Sequence, residues 1–403
     1  MSVNDQVLNY PIPSDEPLGP PQEWAELRGK CPVAHIELPS GDRARLLTRY
    51  EDVKQVLADP RFTRMLTAPD AARLSAEGGG VFSSEFAQII PDGGEEHQHW
   101  RRLVGRWFTA KRMSALRPTM AKIADDLIDD MVAQGAPADL KAALGFPLPV
   151  FVICDMLGVP AADRDRFSHW SDTLLNLTRY SKEEIDTAQA EFFQYMTDHL
   201  AARRAEPGDD LLSELIAVGG PEDGGLSDIQ ILVTGMALLV AGHETTANMI
   251  GKMVSMLLAD RTRWERLLAD PSLIRTTVEE SLRMDANSGF GLPRYLKEET
   301  EVSGTALPRG TTVVCSMAAA NRDESVFDAA EEMDLTRSPN AHLAFGAGAH
   351  SCLGQSLART ELQVVLEVLL RRLPTLELAV PEAELERVEG LAVGGLRTVP
   401  VRW

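Results

Sequence analysis

Cysteine is scarce, with four in 403 residues, too few for a disulfide framework. Basic charge is also in short supply. Forty lysines and arginines stand against 60 aspartates and glutamates, for a formal net charge of -20. Such a field repels phosphate backbones and argues against nucleic acid or an anionic membrane as the main partner. Long apolar runs are missing. The longest charge-free, mostly apolar stretch, Ile229–Gly242, covers about 14 residues and is interrupted by Gln230, Thr234 and Gly235; it is too short to span a bilayer. The N-terminus, MSVNDQVLNYPIPSDEP, has neither a basic start nor an apolar core, unlike a signal peptide. Fixed-period repeats and low-complexity linkers are absent. What remains is an ordinary globular composition, 44% hydrophobic and 25% charged, which points to a soluble, cytoplasmic protein.

Periodicity places the motifs. The first 20 residues are Pro-rich and polar, an extended lead-in. Short alternating strands over Val33–Leu38 and Ala44–Thr48 precede a helix over Glu51–Asp59. The stretch Pro60–Gly94 has little periodicity and two glycine-rich turns; such a long irregular segment is often functional, for example a binding loop or lid. Glu95 to about Asp270 reads as helical nearly throughout. The strongest helix starts at Ser227, where Ser227 and Gln230 fit a capping box, and runs to about Leu258. It would extend about 45 Å, enough to cross a whole domain. A further helix covers Ser272–Met284, strand-like pieces alternate from Gly289 to Ser316, and a last helix runs from about Cys352 to Leu373.

The segment FGAGAHSCLGQSLAR, Phe345–Arg359, carries the clearest chemistry. One cysteine stands in a Gly-rich loop at the mouth of a helix. Peptide N–H groups and the positive end of the helix dipole stabilise a thiolate there. Gly346 and Gly348 allow a tight turn, and Gly354 lets the backbone approach a flat ligand. An axial thiolate ligand to haem iron needs this arrangement, although a plain Gly-rich turn around a buried free cysteine would use the same residues. Cys31, Cys154 and Cys315 lack any such context. Rival motifs fail on spacing. Gly346-x-Gly348-x-x-Ser351 lacks the third glycine of a dinucleotide loop, no Walker lysine follows, and Ala247 stands where a zinc-protease helix beginning at His243 needs its second histidine. His97 and His99 point apart on a helix and chelate a metal only weakly.

Together with three further elements in order, Phe345, Gly348, Cys352 and Gly354 closely resemble the haem-binding signature of the cytochrome P-450 family, in its soluble bacterial form. The resemblance covers nearly the whole chain. It makes Cys352 the axial thiolate. Glu280-Ser-Leu-Arg283, 72 residues before Cys352, resembles the family's structural ion-pair motif, with Arg337 as third partner, although such pairs are also common on solvated helix faces. Ala241-Gly-His-Glu-Thr245-Thr, inside the long helix, resembles the family's oxygen-side segment. A mid-helix glycine followed by an acid and a hydroxyl is locally unfavourable. By resemblance Ala241 lies against the haem, Thr245 hydrogen-bonds dioxygen or its water, and Glu244 relays protons as general acid. His97 and Arg101 share one helix face. By resemblance they bind the haem propionates together with Arg294 and His350. His99 departs from the arginine common at its place.

The resemblance implies a single, mainly α domain spanning 1–403, with a small β region, a long central helix over the haem and a cysteine-ligand loop. It implies haem b with O2 as co-substrate, and hydroxylation or epoxidation of a lipophilic small molecule such as a polyketide, terpenoid, steroid or modified peptide of secondary metabolism. The pocket would draw on Leu238, Ala241, Asn287, Ser288, Phe290, Leu292 and Ala392; the family commonly has Pro-Val where this chain has Asn287-Ser288. No flavin or iron–sulfur motif is present, so electrons would come from a ferredoxin and its reductase. These would meet a basic face formed by Arg102, Arg106, Lys111 and Arg112 on a monomeric protein. The alternatives are oxidative phenol coupling, peroxide-driven oxidation, or a non-catalytic haem sensor or scaffold. The Glu244-Thr245 pair disfavours the last two, which need no proton relay to dioxygen.

Overall fold

A computed structural model describes residues 7–74, 88–175, 180–285, 289–388 and 394–403. Its helices are α1 (Glu23–Lys30), α2 (Tyr50–Ala58), α3 (Gly94–Gly105), α4 (Ala110–Gln134), α5 (Pro147–Met156), α6 (Arg164–Leu175) and α7 (Lys182–Ala205). There follow α8 (Leu211–Ala217), α9 (Asp228–Ala259), α10 (Arg261–Ala269), α11 (Ile274–Met284), α12 (Met317–Ala320) and α13 (Gln355–Arg372). The long helix expected from Ser227 is α9. Ser227 Oγ accepts from Gln230 N while the Gln230 side chain accepts from Ser227 N, which closes the capping box. Its interior is apolar on nearly every side, so α9 is stable only inside the core. It packs against α5, α6, α7 and α13, and each fully buried Leu, Ile, Val or Met on it contributes about 2 kcal/mol. Gly235 lets α7 cross closely, since a Cβ there would sit 2.7 Å from Met196 Cε.

The strands are short: β1 (Val7–Asn9), β2 (Val33–Glu37), β3 (Arg43–Leu47), β4 (Phe62–Thr63), β5 (Ala138–Asp139), β6 (Leu292–Leu296) and β7 (Thr300–Val302). The remainder are β8 (Thr305–Leu307), β9 (Thr312–Cys315), β10 (Glu377–Leu378), β11 (Arg387–Val388), β12 (Gly395–Leu396) and β13 (Pro400–Arg402). The largest sheet has the order β1-β2-β3-β9-β6-β4. The extended lead-in therefore contributes an edge strand, with Val7 opposite His35 in a parallel pair. Tyr10 then donates its hydroxyl hydrogen to Phe290 O at 2.5 Å. One large helical core fills the space between α3 and α13, and two smaller cores lie under the six-stranded sheet. The architecture is mainly helical with small sheets. Among the described residues no helix is long and apolar enough to cross a membrane.

Candidate active site

Cys352 lies three residues before α13, in the turn that leads into it. The last helix thus starts later than its sequence pattern suggests. The Cys352 N–H donates to Phe345 O at 2.8 Å, Gly346 N to Leu343 O at 2.8 Å, and Ser351 N to Gly348 O at 3.1 Å. Gly348 has φ +70, and a Cβ on it would fall 2.5 Å from Ala58 Cα; only glycine fits there. The Cys352 side chain is exposed, unlike those of Cys31, Cys154 and Cys315. Yet the surrounding protein is dense enough that burial pushes its thiol up, opposed by the Gly354 peptide and by the charges of Arg101 and Arg359. An exposed thiol that is hemmed in on all sides borders an internal hollow.

The middle of α9 is also partly uncovered. Ala237 and Ala241 are exposed, and Leu238, Gly242 and Thr245 are half-buried, within a helix that is otherwise enclosed except at its two ends. These positions share one helix face. The Thr245 hydroxyl donates to Ala241 O at 2.8 Å, and Glu244 beside it is buried. His243, on roughly the other side of the helix, packs its ring 4.1 Å from that of Phe146. Burial pushes its pKa down to about 3, so it stands neutral in the core.

A third group surrounds the start of α3. His97 is buried, its ring 4.5 Å from that of His350. Arg294 on β6 is buried; its Nη1 donates to Pro293 O at 2.8 Å while its Nε has no partner. Arg64 joins them, a residue the sequence did not single out. Its charge acts on His97, His350 and Arg294. The acid facing this set is Asp92, 3.0 Å from Arg64 Nε and 3.9 Å from His350 Nε2. Burial, then Arg64 and Arg101, push His97 down. Burial, then Arg64 and His97, push His350 down to about 4. The cluster holds more positive charge than Asp92 balances, and it contains an orphaned guanidinium N–H. It fits a ligand that brings carboxylates. Among the described residues no group of three or more His, Cys, Asp or Glu could hold a metal ion; a lone sulfur fits a metal that arrives within a macrocycle.

The Cys352 loop is clamped from behind. Glu280 and Arg283 are fully buried and pair at 2.8 Å. Arg337 Nε lies 3.1 Å from both Glu280 oxygens. Arg283 Nη1 also donates to Asn321 O at 2.8 Å, and Asn321 Oδ1 accepts from Leu343 N at 2.6 Å. The ion pair thus reaches the loop through one asparagine. Burial alone would raise the Glu280 pKa; bonds from Arg283, Asp334 N and Arg337 outweigh it, and the net direction is down.

Glu361 on α13 was not foreseen. It is fully buried, with the Thr246 hydroxyl of α9 as a polar neighbour of its carboxyl. Burial pushes its pKa up to about 8, opposed by the Thr246 hydroxyl on α9. The signal was in the sequence: an acid at the apolar-face spacing of Leu357, Val364 and Val368.

Other expected residues fall differently. Phe290 is buried, with its ring edge-on to Tyr10 at 5.1 Å. Leu292 is half-buried near Gly346. Asn287, Ser288 and Ala392 lie outside the described residues. Arg112 is tied to Glu214 at 2.6 Å and lies over the Trp107 ring at 4.1 Å. Arg102, Arg106 and Lys111 are exposed.

Comparison with known proteins agrees with this geometry. Residues 255–391 match the family model described as Cytochrome P450. The chain is 42% identical to the mycinamicin IV hydroxylase/epoxidase of Micromonospora griseorubida, covering 94% of each. It is 41% identical to the nocardicin C N-oxygenase of Nocardia uniformis subsp. tsuyamanensis, covering 98% of each. The crystal structure of the LnmA cytochrome P450 hydroxylase from the leinamycin biosynthetic pathway of Streptomyces atroolivaceus S-140 superposes with a TM-score of 0.89 at 38% identity, over 98% of this chain and 100% of that one. The chain belongs to the cytochrome P450 family, and it is a monooxygenase that works with haem on a cysteine thiolate, dioxygen, a small-molecule substrate and redox partners.

Proposed function

We propose that Cys352 is the haem ligand and that the enzyme hydroxylates or epoxidises a lipophilic secondary metabolite, of the polyketide, terpenoid, steroid or modified-peptide kind. The observation that carries this reading is the Cys352 thiol, exposed yet enclosed, in a chain that also has an uncovered strip on α9 and an anion-seeking cluster. The relatives named above, a hydroxylase/epoxidase and an N-oxygenase, support the choice of substrate class.

Haem b, when bound, supplies the activation of dioxygen and the transfer of one oxygen atom. Its carboxylates are held by His97, Arg101, Arg294 and His350. The two histidines serve as neutral N–H donors until those carboxylates arrive and draw their pKa values back up. Phe345, Gly348 and Gly354 shape the loop, and the Glu280–Arg283–Arg337 set fixes it. The Thr245 hydroxyl, anchored on Ala241 O, presents its lone pairs to the hollow, and Glu244 passes protons to it from the solvent side. Glu361 holds a further proton behind Thr246. Leu238, Ala241 and Leu292 give the substrate an apolar wall that excludes water. The acid next to Thr245 favours oxygen activation over peroxide-driven oxidation.

Electrons come from a ferredoxin and its reductase, docking on Arg102, Arg106 and Lys111. The protein is a cytoplasmic monomer, and residues 1–403 form one domain. The test is the carbon monoxide difference spectrum of the reduced protein, beside Cys352→Ser. The thiolate-type Soret band should be present in the wild type and lost in the variant; its absence from the wild type would refute the assignment. Lipophilic candidates should then shift the ferric Soret band, and the binders should yield oxygenated products when ferredoxin and reductase are supplied.

A further inference from the structure

Glu279 precedes the buried ion pair on α11 and has partners of its own. Its Oε2 lies 3.0 Å from His342 Nε2, and its Oε1 lies 2.8 Å from Arg359 Nε. His342 Nδ1 accepts from Ala344 N at 3.3 Å. Those two bonds assign the neutral tautomer, with its proton on Nε2. Arg359 is therefore the cation that faces Glu279. Arg359 sits in the first turns of α13, where Nη1 also donates to Gln355 Oε1 at 2.9 Å. Its guanidinium lies 4.4 Å from the centre of the Phe345 ring. Phe345 O in turn accepts the Cys352 N–H. One carboxylate thus grips the cysteine loop twice, through His342 where the loop begins and through Arg359 behind it.

The pairing also has an electrostatic consequence. The positive charges of Arg359 and Arg101 act on the Cys352 sulfur. Glu279 is the acid bonded to Arg359 and cancels its charge. Burial would push the Glu279 carboxyl up, but the bonds from His342 and Arg359 hold it down at about 2, so it is ionised whenever the protein is folded.

We propose that Glu279 is a positioning residue that holds Arg359 on Phe345 and sets how much of that arginine's charge reaches the Cys352 sulfur, and with it the reduction potential of bound haem. The proposal rests on the reading of Cys352 as the thiolate ligand.

The experiment is a potentiometric titration of the haem-loaded protein with Glu279→Gln, Arg359→Gln and the double variant, each checked by its carbon monoxide difference spectrum. Glu279→Gln leaves Arg359 without its counter-charge. Added positive charge near the sulfur favours the reduced iron, so the potential rises. Arg359→Gln removes the positive charge and leaves a carboxylate, so the potential falls. The double variant returns toward the wild type. A role in packing alone predicts no such order of signs. The proposal is overturned if the two single variants shift the potential in the same direction, or if neither shifts it. Should Glu279→Gln fail to load haem, Arg359→Gln decides alone: a fall supports the proposal, and a rise or no change overturns it. A wild type without the thiolate-type band would sink the Cys352 assignment itself. A normal band with no opposed shifts sinks only the role of Glu279.

Discussion

Glu361 offers a test of the buried site that needs no substrate. Its carboxyl, enclosed between α13 and α9, has its pKa raised from 4.5 to about 8. The folded chain therefore holds this proton between about pH 4.5 and pH 8 while the unfolded chain has released it. Stability contributed by the raised pKa is present at low pH and is lost as pH climbs through that window. The slope is about 1.4 kcal/mol per pH unit, and about 5 kcal/mol over the whole interval. For a chain of 403 residues, an unfolding entropy of about 2.1 cal/mol/K per residue makes 1 kcal/mol worth about 1 °C of Tm. Glu361→Gln removes the titration. The buried amide adds a pH-independent offset of about 1–3 kcal/mol, so the informative quantity is the slope and not the value at one pH. Thermal melts of the haem-loaded wild type and variant should converge or diverge by about 5 °C between pH 5 and pH 8, with the wild type losing ground as pH rises. All other titrating groups are common to both proteins and cancel. Parallel Tm curves would show that Glu361 is ionised at neutral pH and would remove it as a proton store.

The remaining predictions concern the loop and the ligands of the hollow. Arg283→Lys keeps the charge but loses the bonds to Asn321 O, Ala330 O and Glu332 O. Each buried carbonyl left without its donor costs about 1–3 kcal/mol, so little protein with a thiolate-type band should be recovered. Gly348→Ala forces a Cβ against the α2 backbone at φ +70, a strain of about 1–3 kcal/mol before any clash; haem content per chain should fall, with far-ultraviolet circular dichroism retained. Arg294→Gln removes a charged donor worth about 1.5–3 kcal/mol, and haem transfer to apomyoglobin should speed up about tenfold or more. Thr245→Ala should leave the carbon monoxide spectrum intact while raising the peroxide released per electron consumed. An unchanged ratio would argue that the hydroxyl delivers no proton.

Local rules made much of the scaffold legible. The capping box at Ser227 and Gln230, the breakers before it and an uninterrupted apolar run placed α9 to within a residue or two. The strands around Val33 and Ala44 followed from alternation over five or six residues. The Gly-rich loop could be read because Gly346 and Gly348 answer a local demand, a positive φ. Side chains that meet across the chain were harder to read. Arg64 resembles any surface arginine until β4 pairs with β6 and brings it beside Arg294. The pairing of Arg112 with Glu214 of α8 was likewise invisible along the chain. The packing of Tyr10 on Phe290, 280 residues apart, could not be read along the chain.

By itself, then, the sequence determined which segments are helix and strand, where the cysteine loop turns, and which family's chemistry the chain performs. Periodicity, capping and backbone freedom act over neighbouring residues and are written in order along the chain. The tertiary structure alone decided the protonation of Glu361, the surplus of positive charge around Asp92, and the pairing of Glu279 with Arg359 behind the sulfur. These are properties of desolvation and of distances between residues far apart in sequence. They come into being only when packing removes water from a charge and sets another charge, or none, beside it.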